Sequence, residues 1–345
     1  MPLHCSMNID ALPRALGGAP AAGCFPVMPQ DFQVDEILGF EPDGAGQHVL
    51  VHIRKQNCNT EWVARRLEKI AGVRQSDVGY AGLKDRHAVT SQWFSIDLAG
   101  RPEPDWTQIE SPDIHVLRVA RHQRKLRRGT LSGNRFVMCV REIRGNHTDI
   151  VARLEQVKIR GVPNYFGKQR FGSDNVGRAE AMFTGKQKVR DRHLRGLYLS
   201  AARAFLFNKI LSRRVVDGTW DQPIDGDAMS LDGSNSFFVI DNIDAATVER
   251  AAVGDIHPTG PLWGRGDIAT RLTARELELA ALDGDGIWRN GLEQFGCTQQ
   301  RRALRITATG LDWKLYNDTL ELSFQLPAGS YATVLLREII DCSAV

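Results

Sequence analysis

Asp85 stands between Lys84 and Arg86 in a glycine-led turn, Ala81-Gly82-Leu83-Lys84-Asp85-Arg86-His87-Ala88-Val89-Thr90. Positive charge on both sides favours the ionised carboxylate. An ionised carboxylate in such a turn can serve as a nucleophile or a general base. The competing reading is a surface Asp held in a structural ion pair, which perturbs a carboxylate in the same way. His87 is either a ligand or base, or a residue that packs beside the turn. A second kind of chemistry is written in charge. Between Asp113 and Glu142 there is no acidic residue, while Arg118, Arg121, Arg124, Lys125, Arg127, Arg128, Arg135 and Arg141 all fall there. A block this basic suits a phosphate backbone, the alternative being a solvated loop. Lys186, Lys188, Arg190, Arg192 and Arg195 form a second basic cluster.

These residues need elements to hold them. The run Phe32, Val34, Ile37 alternates as a strand over residues 32–38, and His48 to Ile53 as another. A helix begins near Asn59-Thr60-Glu61, with Trp62, Val63, Leu67 and Ile70 as its apolar stripe. The Asp85 turn follows, then a strand from Trp93 to Leu98. His115 to Ala120 and Phe136 to Val140 read as strands flanking the basic loop. Phe136 is then either a core residue or a stacking platform for a base. Asn146 can cap a helix carrying Ile150, Leu154 and Val157, and residues 199–216 form the strongest helical pattern. Strand alternation returns at 305–308 and 319–326, before a last helix that Ser330 is placed to cap. The mixture, with few clean strand-helix-strand units, predicts an α+β fold built on a mainly antiparallel sheet with helices.

Composition sets the outer limits. The chain has 345 residues, 42% hydrophobic and 25% charged, with a net charge of only +3. A real core is expected, and the total charge says less about nucleic acid than its distribution does. Six scattered cysteines without a Cys-x-x-Cys pair fit reduced thiols in a cytoplasmic protein. No apolar run of about 18 residues suggests a membrane span. Asp283-Gly284-Asp285-Gly286 resembles a calcium loop, but its twelfth position would be Leu292, where a bidentate Glu is required. No zinc spacing, P-loop, dinucleotide fingerprint or serine-hydrolase elbow is present.

Five blocks carry a family resemblance, in order along nearly the whole chain. They are Pro29-Gln30-Asp31-Phe32-Gln33-Val34, the Asp85 turn, Gly133-Asn134-Arg135-Phe136, the segment Gly161-Val162-Pro163-Asn164-Tyr165-Phe166-Gly167-Lys168-Gln169-Arg170-Phe171-Gly172, and Leu326-Pro327-Ala328-Gly329-Ser330-Tyr331-Ala332-Thr333. Together they resemble the TruD family of tRNA pseudouridine synthases. The resemblance implies conversion of uridine to pseudouridine in tRNA, at U13 of the D arm, with Asp85 as the catalytic residue and no metal, nucleotide or flavin cofactor. The carboxylate would add to C1′, add to C6, or promote elimination to a glycal-like intermediate. Phe32, Asn134, Phe136 and Tyr331 would contact the target nucleotide, Tyr331 replacing the usual Phe. Lys84, Arg86, Arg121, Arg124, Lys125, Arg127, Arg128, Lys168 and Arg170 are candidates for the RNA backbone.

The implied organisation is a lead-in over residues 1–25, a catalytic domain over 26–159 plus 306–345, and a second α/β domain inserted at 160–305, with a cleft between the domains. No obligate protein partner is indicated, and a monomer is expected. Two other readings compete. One is a catalytically silent RNA-binding protein, against which the joint presence of Asp85, Asn134 and Phe136 argues. The other is a nuclease, which would want a cluster of carboxylates or histidines around metal.

Overall fold

The computed structural model describes residues 8–234 and 236–343. They form two compact units, one of residues 21–147, 308–329 and 341–343, the other of residues 8–20, 148–307 and 330–340.

The first unit is built on one sheet. Its main path runs Thr309–Tyr316, Thr319–Pro327, Leu131–Gly145, Phe32–Leu38, Val89–Asp97, His48–Lys55, Ile114–His122. Every neighbouring pair on that path is antiparallel except Phe32–Leu38 with Val89–Asp97. The helix Thr60–Ala71 lays Val63, Ala64 and Leu67 on Val49, Val51, Ile53, Phe94 and Ile96. The expected α+β arrangement is therefore what the chain adopts, and the alternation seen in sequence marks real strands, one face buried in Thr319–Pro327 and both faces largely buried in His48–Lys55. Several strands run longer than their apolar cores, as in Leu131–Gly145, because ladder pairing extends through polar residues.

The second unit centres on the helix Arg192–Val216, which buries Ala201, Phe205, Phe207 and Leu211. Its start lies several residues ahead of the apolar stripe, where Asp191 accepts the backbone N–H groups of His193 and Leu194 at 2.7 and 3.0 Å. A four-stranded antiparallel sheet, in the order Phe237–Val239, Ala228–Leu231, Ile256–Leu262, Gln300–Ala303, completes this unit.

Two expectations are corrected. Residues 1–7 of the anticipated lead-in lie outside the described residues, but the rest is not loose. Ile9 is buried, Tyr165 donates to the Pro13 carbonyl at 3.3 Å, and Ala21–Cys24 is a strand paired with Leu131–Gly145. The unit boundaries also differ from the expected segments. The helices His147–Arg160 and Ala332–Ile339 group largely with the second unit. The reason is visible in their bonds: Arg153 donates to the carbonyls of Glu338 and Gly18 at 2.6 and 3.0 Å, and Val334 joins the core of Phe166 and Phe207. That last helix is capped at Tyr331, one residue past Ser330. Among the described residues no helix is long and apolar enough to cross a membrane.

Candidate active site

The Asp85 turn is fixed from three sides of one sheet face. Thr60, at the start of its helix, accepts the Lys84 N–H at 3.0 Å and donates to Gln92 at 2.7 Å. Gln92 in turn donates to the Gly82 carbonyl at 3.2 Å. Lys55, only 1% exposed, donates to the carbonyls of Asp85 and Cys58 at 3.0 and 2.8 Å. Burial pushes the Lys55 ammonium below its ordinary pKa, while the charges of Cys58 and Asp85 push it back up. The turn backbone is therefore rigidly tied, yet the Asp85 side chain is exposed. One of its oxygens accepts the His87 N–H at 2.9 Å. No ion pair reaches its carboxylate among the described residues.

The expected roles of its neighbours change. Lys84 turns inward and pairs with Glu36 at 2.7 Å, both side chains buried, so it is not a surface contact for phosphate. Arg86 donates to the Asn57 carbonyl at 3.1 Å. Neither cation bridges Asp85. The lysine that reaches this residue is Lys55, through the Asp85 carbonyl, and the sequence reading missed it. Its signal was a charged residue closing an apolar strand. Glu36, Thr60 and Gln92 were missed as well, since their partners are distant in sequence.

Beside this turn the same face is aromatic. Phe324 and Phe136 face each other across neighbouring strands with centroids 5.5 Å apart, and Phe32 lies 6.3 Å from Phe136 at an interplanar angle of 10°. Phe136 is 6% exposed, so it is first a core residue, while Phe32 is half-buried. Asn134 sits two residues from Phe136 and directly opposite Glu36, the acid that holds Lys84. Directly opposed residues of an antiparallel pair share a face. Asp85's turn, Asn134, Phe136 and Phe32 are thus brought to one surface of one unit. The Asn134 Oδ1 is buried and has no hydrogen-bond partner, an uncommon state for a folded protein.

The basic loop divides in two. Arg121 pairs with Glu103 at 2.6 Å, and the Lys125 ammonium is tied to the Ser76 carbonyl. The guanidinium groups of Arg124, Arg127 and Arg128 are exposed and take no partner among the described residues.

Tyr331, Lys168 and Arg170 belong to the other unit. There Gly167 lies flat under Tyr331, where an added Cβ would meet the ring at 3.1 Å. Arg170 donates to the Tyr331 hydroxyl at 3.0 Å and to Ser200 at 2.8 Å, and its guanidinium lies 5.4 Å from the Phe166 ring centre. Arg302 packs on the other contact of that ring at 4.2 Å; burial pushes it down to about 10. Asn208 clamps Phe166 by both main-chain groups, at 2.9 and 3.0 Å. Lys168 pairs with Asp10 at 2.6 Å in the open. The Tyr165–Phe166 corner is thus core rather than a ligand wall, and Arg170 is committed to its own unit.

The sheet unit carries a tethered turn with an exposed carboxylate and, on the same sheet face, a row of aromatic rings. Comparison with known proteins narrows this. The profile described as tRNA pseudouridine synthase D (TruD) matches residues 15–186 and 178–339. Relatives named tRNA pseudouridine synthase D include one from Nitrosococcus oceani, 50% identical and covering 94% of this chain and 93% of its own. Another, from Methylococcus capsulatus, is 49% identical over 97% and 95%. The crystal structure of a putative tRNA pseudouridine synthase D from Methanosarcina mazei has the same fold, with a TM-score of 0.70 and 22% identity over 94% of this chain and 95% of its own. The chain belongs to the TruD family of pseudouridine synthases, and it is an isomerase.

Proposed function

We propose that the protein converts uridine to pseudouridine in tRNA, at U13 of the D arm, with Asp85 as the catalytic carboxylate, and that it does so as a single chain without a cofactor. The sheet unit is then the catalytic one. The observation that carries this reading is the exposed Asp85 carboxylate on a turn whose backbone is tied by Lys55, Thr60 and Gln92. A reacting group held this way enters the reaction with its geometry already set. The names of the relatives support tRNA as the substrate.

The chemistry asks little of the protein beyond positioning. The N1–C1′ bond breaks, the uracil turns, and C5 joins C1′; the C5 proton leaves and N1 takes one, so composition and oxidation state are unchanged. A single carboxylate can drive this by adding to C1′, adding to C6, or promoting elimination. The uridine must leave its stack, at a cost of a few kcal/mol. The Phe32 ring offers the detached base a half-buried apolar face, and stacking of this kind contributes about 1–3 kcal/mol. The unsatisfied Asn134 Oδ1 can accept an N–H from the uracil edge, which gives that buried oxygen its missing partner.

The test is Asp85→Asn with unmodified tRNA. Pseudouridine formation is expected to vanish while tRNA binding persists, and mapping in the wild-type reaction should place the product at U13. An Asn variant that still isomerises uridine contradicts the assignment.

A further inference from the structure

A cavity of about 670 Å³ opens between the helix Thr60–Ala71 and the basic loop, lined by Arg65, Tyr80, Lys125, Arg127, Arg128 and Glu61 among others. Its size falls in the range of small-ligand sites. The loop that forms one wall is anchored. Leu126 is 2% exposed and packs on Leu50 and Trp93, and its N–H donates to Ser95 at 2.9 Å. The Gly129 N–H donates at 2.9 Å to the carbonyl of Ala81, the first residue of the Asp85 turn. Gly79 keeps the two chains in contact, since an added Cβ there would lie 2.5 Å from the Leu126 carbonyl.

The charged groups on this fixed frame are unspent. The guanidinium groups of Arg65, Arg127 and Arg128 are exposed and have no hydrogen-bond or ion-pair partner among the described residues, although Arg121 on the same run is paired. Three unpaired cations lining one cavity favour an anion there over an empty site. The half-buried ring of Tyr80, edge-on to Phe94 at 6.0 Å, supplies the cavity with an aromatic surface. Cations next to an accessible ring make the combination that binds a nucleotide through its phosphate and base together.

We propose that this cavity is a second nucleotide subsite for the substrate RNA, distinct from the Asp85 face. Arg65, Arg127 and Arg128 take the phosphate and Tyr80 takes the base. Glu61 also lines the cavity and disfavours phosphate beside it. The subsite rests on the tRNA reading above. Its bond to Ala81 means that a nucleotide lodged here bears on the same turn that presents Asp85, so the RNA is held at two points of one rigid frame.

Binding of unmodified tRNA across a salt series tests it, using folded variants checked by circular dichroism. Arg65→Ala is expected to weaken binding about tenfold and to lower the slope of log affinity against log salt by about one. Arg66→Ala is the control, because Arg66 donates to the Gln108 carbonyl and lies over Trp62, away from the cavity. It should leave the slope unchanged. Equal slopes for wild type and Arg65→Ala overturn the proposal, as does an equal fall in both variants, which would report net charge alone. Tyr80→Leu should weaken binding about tenfold with the slope preserved, because stacking carries no charge. Undiminished affinity in that variant removes the base from the cavity. All of these readouts concern binding, so their failure leaves the Asp85 assignment standing, and an active Asp85→Asn enzyme leaves them standing in turn.

Discussion

Two segments of this chain look equally functional in sequence and are used in opposite ways. The Asp85 turn ties down its backbone and leaves its carboxylate exposed. The 161–172 segment does the reverse, and closes its aromatic and basic residues on one another: Arg170 on Tyr331 and Ser200, Arg302 on Phe166, Asn208 on the Phe166 backbone. A dense motif therefore marks either a polar group left open to a ligand or the packing of a corner. What separates the two is whether the polar side chains find partners inside the fold.

Four substitutions break or sharpen that contrast. The largest effect is expected from Glu36→Ala, which leaves the buried Lys84 ammonium without its partner and should cost about 3–5 kcal/mol by chemical denaturation. A loss under about 1 kcal/mol would mean the turn is held by its backbone bonds alone.

His52 comes next, on the sheet face opposite the turn. It stacks on Trp93 at 4.5 Å, its Nε2 is buried without a partner, and burial pushes it down to about 4 against the opposing charge of Asp35. The unfolded chain takes up this proton near pH 6.5 and the folded one only near pH 4. Stability is therefore lost as pH falls through that window, by about 3 kcal/mol in total. His52→Phe keeps the ring and should flatten that part of the acid limb; an unchanged limb would place the titration elsewhere.

Lys55→Met tests the anchoring of Asp85 without touching its carboxylate. We expect kcat to fall about ten- to hundredfold with tRNA affinity preserved. Equal losses in both would point to general disruption. The smallest effect belongs to the closed segment. Tyr331→Phe keeps the ring and removes one hydrogen bond from Arg170, about 0.5–1.5 kcal/mol. Activity should persist, and its loss would show that the hydroxyl does more than bind Arg170.

The elements formed within their own chain neighbourhood were legible. The glycine-led turn and the alternating strands at Phe32, His48 and Thr319 could be read directly, because their spacing is local. What stayed hidden is tertiary. Lys84 is flanked by Asp85 in sequence but finds Glu36 across the sheet, and Lys55 reaches the Asp85 carbonyl from a strand three dozen residues or fewer away. The link between Arg170 and Tyr331 crosses most of one unit's chain. The early start of Arg192–Val216 was missed because its first turns carry polar residues and depend on the Asp191 cap.

The strand Leu131–Gly145 gains its outer neighbour, Thr319–Pro327, only after the whole of Thr148–Thr307 has been threaded between them. At about 5–20 residues per second, a ribosome needs roughly ten to thirty-five seconds to deliver it. Through that interval Phe136, Met138 and Val140 wait without Phe324, Leu322 and Leu320, along an open edge that another nascent chain can join. The order in which this polypeptide is written therefore exposes that edge for the whole synthesis of the intervening segment.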